Sequence, residues 1–228
     1  YEEILSDADD HGLMVIFHGC TLPRGWERMY PNYAGSEAVL ASENLIFSQH
    51  ACDNEAFNAT LHPFIRNAVG CMEFGGVFLN KRLNRGNDGG TTRRTTDIFQ
   101  LATAVLFQNP IQNFALAPNN LADAPGVCID FMKQMPTIWD ETRFIDGYPG
   151  RYVVLARRHG DVWYVAAVNA TAEPLKLKLS LPMLPAGDAV SVYLDDKKLQ
   201  PQQKEQKIKT DGTLQLTVQP MGGAVIVK

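Results

Sequence analysis

The sequence predicts an α/β segment followed by an all-β domain, and three observations predict it. A helix-like stretch, a glycine stop and a continuous apolar run fill residues 1–17. Near residues 96–110 the apolar positions recur with helical period. From about residue 137 the texture changes to short alternating runs, of which Leu175-Lys176-Leu177-Lys178-Leu179-Ser180-Leu181 is the cleanest.

Residues 1–10 read as the end of an amphipathic helix, stopped at His11-Gly12 because glycine accepts the left-handed turn that ends helices. Leu13-Met14-Val15-Ile16-Phe17 then has the unbroken apolar pattern of a parallel strand buried on both faces. His18, Gly19 and Cys20 open a loop that also holds Arg24, Trp26, Glu27, Arg28 and Tyr30. Chemistry in parallel α/β folds collects at the carboxyl ends of strands, so this cluster is a candidate site. Trp26, Tyr30 and Tyr33 either form a sugar-stacking rim or pack beneath the loop.

Residues 61–69 are expected to be helical and broken by Gly70, with Met72-Glu73-Phe74-Gly75-Gly76 a strand end or turn. Residues 86–92 are Gly-rich but lack the Gly-Lys-Ser/Thr ending of a phosphate cradle, and read as a plain loop. Thr95 or Thr96 can cap the next helix, Asp97 suits its positive end, and Ile98, Leu101, Ala102, Val105 and Leu106 form one face. Pro110 is expected to stop it. A second helix is expected over residues 125–133. Strands follow at residues 152–156, 163–168, 175–181, 190–194, 214–218 and 224–227, with Gly, Asp and Pro between them, a spacing that fits a small antiparallel sandwich. Residues 200–209 are polar and read as an exposed connection. The chain thus divides into residues 1–136 and 137–228.

Composition sets outer bounds. The chain has 228 residues, 45% hydrophobic, with a formal net charge of −4. That apolar content fills a core, and the charge balance gives no footprint for nucleic acid. No run approaches the roughly 18 apolar residues of a membrane helix. Cys20, Cys52, Cys71 and Cys128 show no metal-ligand spacing and are expected to be free thiols. Tyr1-Glu2-Glu3 reads as the middle of a helix, so an N-terminal part of the same protein is expected to be missing, and no leader peptide is visible. Asn58-Ala59-Thr60 and Asn169-Ala170-Thr171 match glycosylation acceptors, a short pattern that often arises by accident.

The most informative residues are Glu37 and Glu43, separated by apolar Ala38-Val39-Leu40-Ala41. In a strand an even separation puts both on one face, whereas on a helix they would stand about 240° apart. Three readings are open: two oxygen ligands for a hard cation such as calcium, a proton donor whose pKa is raised by its neighbour, or two solvent-facing glutamates.

The run from His18-Gly19-Cys20-Thr21-Leu22-Pro23-Arg24-Gly25-Trp26 to Pro31-Asn32, with the segment from Glu37 to Glu43, resembles glycoside hydrolase family 97. So do His62-Pro63-Phe64, the helix from Thr96 to Pro110, the segment from Pro136 to Thr142, and Ala156 to Tyr164. The resemblance implies the later part of a (β/α)8 barrel over residues 1–136 and a C-terminal antiparallel β-sandwich over residues 137–228. It implies a calcium-dependent exo-acting α-glycosidase of oligosaccharides, commonly exported to the periplasm. Carried over residue by residue, Glu43 resembles the general acid, Glu37 and Glu43 calcium ligands, and His18 a sugar contact. The inverting branch has a glutamate where this chain has Gly19, so the chain is more similar to the retaining, α-galactoside-cleaving branch, whose nucleophile lies upstream of Tyr1. The rival expectation is a non-catalytic carbohydrate-binding or structural protein on a degenerate barrel. The fragment by itself is expected to be inactive.

Overall fold

The structure is a computed structural model describing residues 1–228. Helix α1 (Glu2–Asp10) buries Leu5 and leads to strand β1 (Val15–Phe17). β1 pairs in parallel with β2 (Tyr33–Ser36), and Ser36 forms a further parallel bridge to Met72. The strand expected over residues 13–17 is therefore shorter, and it is not buried on both faces. Its three residues are half-buried, and Leu13 and Met14 are exposed. Val15 and Phe17 pack against the small cluster of Leu5, Trp26 and Tyr33.

Three helices follow: α2 (Asn44–Phe47), α3 (Gln49–Leu61) and α4 (Arg66–Val69), with a 3-10 turn at His62–Phe64. The helix expected over residues 61–69 is only this broken piece. The main helix, α3, lies before it and buries small or polar side chains, Cys52, Glu55, Ala56, Ala59 and Thr60, so it shows no apolar stripe to read.

Helix α5 (Asp97–Leu106) is capped by Thr96, whose hydroxyl accepts from the Phe99 N–H at 3.1 Å, and all ten of its residues are buried. It ends at Leu106, before the Pro110 expected to stop it. Short α6 (Asn120–Asp123) and α7 (Gly126–Gln134) complete the helical part. No helix is long and apolar enough to cross a membrane.

The remainder is antiparallel sheet: β3 (Glu141–Tyr148), β4 (Tyr152–His159), β5 (Val162–Asn169), β6 (Leu175–Ser180), β7 (Ala189–Asp195), β8 (Pro201–Lys207), β9 (Thr213–Val218) and β10 (Gly223–Val227). Six strands run in the order β3-β4-β5-β10-β7-β8, and β6 pairs with β9. One face of the large sheet packs Val154, Val165 and Ile226 against Leu177, Leu179 and Leu214 of the small one. The opposite face packs Val153, Ala166 and Val225 on Ile98, Leu101 and Val105 of α5. Burial on both faces explains the near-continuous apolar runs of β4, β5 and β10. The connection expected at residues 200–209 is instead the edge strand β8. Its charged sequence suits an edge, where polar side chains discourage further pairing.

The helix and the sheet touch closely. A Cβ on Gly223 would sit 2.5 Å from the Ile98 carbonyl oxygen, so only glycine permits this approach. Asp195 adds a polar tie, accepting from the Thr96 hydroxyl at 2.6 Å and the Gly223 N–H at 3.2 Å.

Beside α5, Glu55 is buried and accepts from the Thr95 hydroxyl at 2.8 Å and from the Gln100 amide. Burial pushes its pKa above the ordinary 4.5, and the two hydrogen bonds only oppose that rise. A carboxyl with a raised folded-state pKa stabilises the fold fully below its unfolded value, and that contribution is lost as pH rises through the folded value. Glu55→Gln is therefore expected to gain Tm relative to the native chain on going from about pH 5 to about pH 8. Thermal melts across that window check it, and a variant-minus-native Tm that falls or stays constant with rising pH refutes it.

Candidate active site

Three neighbouring parallel segments deliver the site. β1 ends at Phe17, whose carbonyl accepts from the Glu37 N–H at 2.8 Å. β2 ends at Ser36, whose carbonyl accepts from the Glu73 N–H at 3.0 Å. His18, Glu37 and Glu73 thus each follow a parallel segment, the position where side chains project into the mouth of such a sheet.

The residues predicted from sequence do come together, but not by the expected route. Glu37 and Glu43 do not share a strand face, because β2 stops at Ser36 and Glu43 is the residue before α2. The intervening loop turns back through Ala38, at φ 44°. It is anchored where the Ser42 N–H donates to the Phe74 carbonyl at 3.0 Å and the Ser42 hydroxyl to that of Gly75. This fold-back brings Glu43 over His18.

His18 Nε2 lies 2.9 Å from Glu43 Oε1 and 3.5 Å from Glu37 Oε1, and its Nδ1 lies 3.0 Å from Glu73 Oε2. Hydrogen bonds with Glu43 and Glu73 raise its pKa above the usual 6.5, against the opposing effect of burial. Gly19 adopts φ 57° and turns its N–H onto Glu37 Oε2 at 2.7 Å. The side chains of Glu37 and Glu73 are 6% and 11% exposed, against 47% for Glu43 and 50% for His18. Solvent exposure therefore does not account for Glu37. Two carboxylates form a floor, and Glu43 with His18 forms the reachable rim.

Charge at this site is unbalanced. None of the three carboxylates has a Lys or Arg partner, and His18 is the only cationic group within ion-pair distance of any of them. One imidazolium leaves a surplus of negative charge. Ligand atoms of His18, Glu37 and Glu43 lie within 4.8 Å of one another. A buried carboxylate and a reachable one, both oxygen donors, fit a hard divalent cation better than a soft one.

The floor is held by Arg66, which is buried. Its guanidinium donates to the carbonyls of Glu37 (3.0 Å), Ser36 (2.6 Å), Cys71 (3.1 Å) and Gly70 (3.3 Å). One side chain thus clamps the backbones that carry Glu37 and Glu73. Sequence reasoning missed both Arg66 and Glu73. Glu73 was discoverable, since it lies in a segment recognised as a strand end, whereas Arg66 gives no signal in a helical stretch.

The aromatic residues resolve toward packing. Trp26 and Tyr33 are buried, with Trp26 stacked on Tyr1 at 4.8 Å and edge-on to Phe17 at 5.7 Å, so they do not form a sugar-stacking rim. All four cysteines are free. Asn169 is buried and its amide donates to the Glu173 carbonyl at 2.8 Å, which leaves no glycan acceptor there.

Comparison with known proteins shows what the chain is similar to. Residues 138–227 match the family model described as glycosyl-hydrolase 97 C-terminal, oligomerisation. A probable retaining alpha-galactosidase of Streptomyces bingchenggensis is 36% identical over 184 residues, 78% of this chain and 26% of that protein. The crystal structure of a beta-arabinopyranosidase superposes with TM-score 0.97 at 73% identity, covering 100% of this chain and 36% of the other. A glycoside hydrolase family 97 enzyme from a Pseudoalteromonas species, solved with panose, superposes with TM-score 0.81 at 24% identity over the same shares, a likeness of fold. The chain spans between about a quarter and just over a third of the length of these relatives.

Proposed function

The chain belongs to glycoside hydrolase family 97 as its C-terminal portion, and from that premise we propose that the full-length protein is a calcium-dependent, retaining exo-glycosidase for galacto-configured sugars. The convergence of Glu37, Glu43 and Glu73 on His18 carries the reading. Strands β1 and β2 and the Met72 segment are read as the last strands of a (β/α)8 barrel whose earlier strands lie outside this chain.

Glu43, on the rim, donates the proton to the departing glycosidic oxygen, which converts a poor leaving alkoxide into an alcohol. His18, beside it, holds a ring hydroxyl through its Nε2. Glu37 and Glu43 hold calcium, which when bound neutralises the carboxylate surplus and supplies a site for sugar hydroxyl oxygens. The αL turn at Gly19 leaves its own position without a side chain and fixes the Glu37 carboxylate through its N–H. The attacking carboxylate of a retaining reaction is then supplied by the rest of the protein, because none of the three glutamates here stands on an opposite wall. Residues 138–227 are read as the module that joins copies of the enzyme, as the matched domain's description states for that family domain.

Two identities compete for the terminal sugar. The Streptomyces relative is named for α-galactosides, and the 73% identical structure is a beta-arabinopyranosidase. β-L-Arabinopyranose has the ring configuration of α-D-galactopyranose without the C6 hydroxymethyl, so one site geometry can serve both. The higher identity favours the pentoside. Aryl α-galactoside, β-L-arabinopyranoside and α-glucoside should be offered to the full-length enzyme with calcium and after EDTA, with product anomers followed by NMR. Turnover of the first two with retention, lost on chelation, is expected. Preference for the glucoside, inversion, or full activity after thorough chelation would each overturn the corresponding part.

A further inference from the structure

We propose that Glu73 is the positioning residue of His18, a role for a third carboxylate at this site. It rests on the reading of His18 as the sugar contact.

Orientation is the problem that His18 poses. Its side chain is 50% exposed, and apart from the carboxylates around it no side-chain or backbone group bonds its ring. An imidazole so placed can flip, exchanging Nδ1 and Nε2 and losing aim. Among its three carboxylate neighbours, Glu43 lies on the exposed rim and Glu37 is turned toward the Gly19 N–H. Only Glu73 meets Nδ1.

Glu73 is also the neighbour built to stay still. Its side chain is 11% exposed. Its N–H donates to the Ser36 carbonyl at 3.0 Å, and the next carbonyl, of Phe74, accepts from the Ser42 N–H at 3.0 Å. Gly75, at φ 64°, turns the chain directly beyond it, where a Cβ would meet the Ser42 hydroxyl at 2.8 Å. Its segment is therefore tied on one side to β2 and on the other to the loop that carries Glu43. A carboxylate fixed in this way, accepting from Nδ1–H, sets both ring plane and tautomer and leaves Nε2 directed at the rim. The logic is that of a mobile histidine ring oriented from behind by a fixed carboxylate.

The test uses the full-length enzyme with calcium, as native protein, Glu73→Gln and Glu73→Ala. The glutamine keeps an oxygen that can accept from Nδ1–H, so it distinguishes lost hydrogen bonding from lost bulk. Catalytic efficiency is expected to fall in the order Glu, Gln, Ala, by about 10- to 100-fold for Ala, the range typical of groups that orient a histidine. Long-range 1H–15N spectra of histidine-labelled enzyme, with the His18 signals identified by their loss in His18→Asn, give a readout besides activity. In its neutral form the native ring is expected to carry its proton on Nδ1, and the alanine variant to show an averaged pattern. An unchanged His18 pattern in Glu73→Ala overturns the proposal, as does an efficiency within about twofold of native, well short of that range. Calcium titration separates a rival role: if Glu73→Gln weakens calcium binding as much as Glu37→Gln, Glu73 is a metal ligand and the proposal fails. Should the native enzyme bind no calcium at all, the calcium reading falls while the spectra still decide this one.

Discussion

Glu43→Gln in the full-length enzyme is expected to lower kcat on glycosides with poor leaving groups by about 10²- to 10⁴-fold, the usual worth of a positioned proton donor. The substitution preserves shape and removes the acidic proton; it also weakens Glu43 as a calcium ligand, so the comparison is made at saturating calcium. Leaving-group chemistry supplies the diagnostic. A dinitrophenyl glycoside departs without protonation, so its kcat/KM, which reports the first step, should fall far less than that of an alkyl or sugar glycoside, although kcat falls for both because Glu43 is also the base of the second step. Stability provides the control. Glu43 is half-exposed and bonds only to His18, so the variant should melt within a few degrees of the native enzyme. Equal losses of kcat/KM on good and poor leaving groups at saturating calcium would refute the role of proton donor.

Arg66→Ala is expected to be the most destabilising single change in the site. The guanidinium serves four carbonyls, of Ser36, Glu37, Gly70 and Cys71, and is itself buried. Removing it strands acceptors that cost about 1–3 kcal/mol each when left unpaired, less whatever water can enter to replace it. A loss on the order of 3–5 kcal/mol follows, large beside typical substitutions. Arg66→Lys should fall between, since one ammonium cannot span the same fork of acceptors. Urea unfolding measures the loss, and a change below about 1 kcal/mol would mean that the clamp is dispensable. Activity should fall together with stability, because the clamped backbones carry Glu37 and Glu73.

The sequence disclosed strands better than helices here, for a physical reason. Alternation in residues 175–181 and the apolar runs of β4, β5 and β10 reflect burial directly, whereas α3 packs through alanines, a cysteine and a threonine that leave no stripe. β8 was misread because an edge strand needs no apolar face. The pairing of Glu37 with Glu43 was found for the wrong geometric reason: spacing assumed an extended segment, and the actual approach depends on Ser42 reaching the 74–75 backbone, a contact about 33 residues away in sequence. Long-range bonds of that kind, like the reach of Arg66, leave no periodic trace. His18 was legible because it follows a strand, and Glu73 satisfied the same rule unnoticed.

The burial of α5 on every side bears on how the protein is made. Synthesis runs from the amino end, and the sheet that covers one side of α5 is translated after it. Until β4, β5 and β10 leave the ribosome, an apolar helix has half its surface in water, and the loop at residues 72–76 rests on that helix. His18, Glu37, Glu43 and Glu73 are thus translated before the sheet that steadies them, and a ribosome that stops before Gly223 releases a chain that carries all four on an uncovered helix.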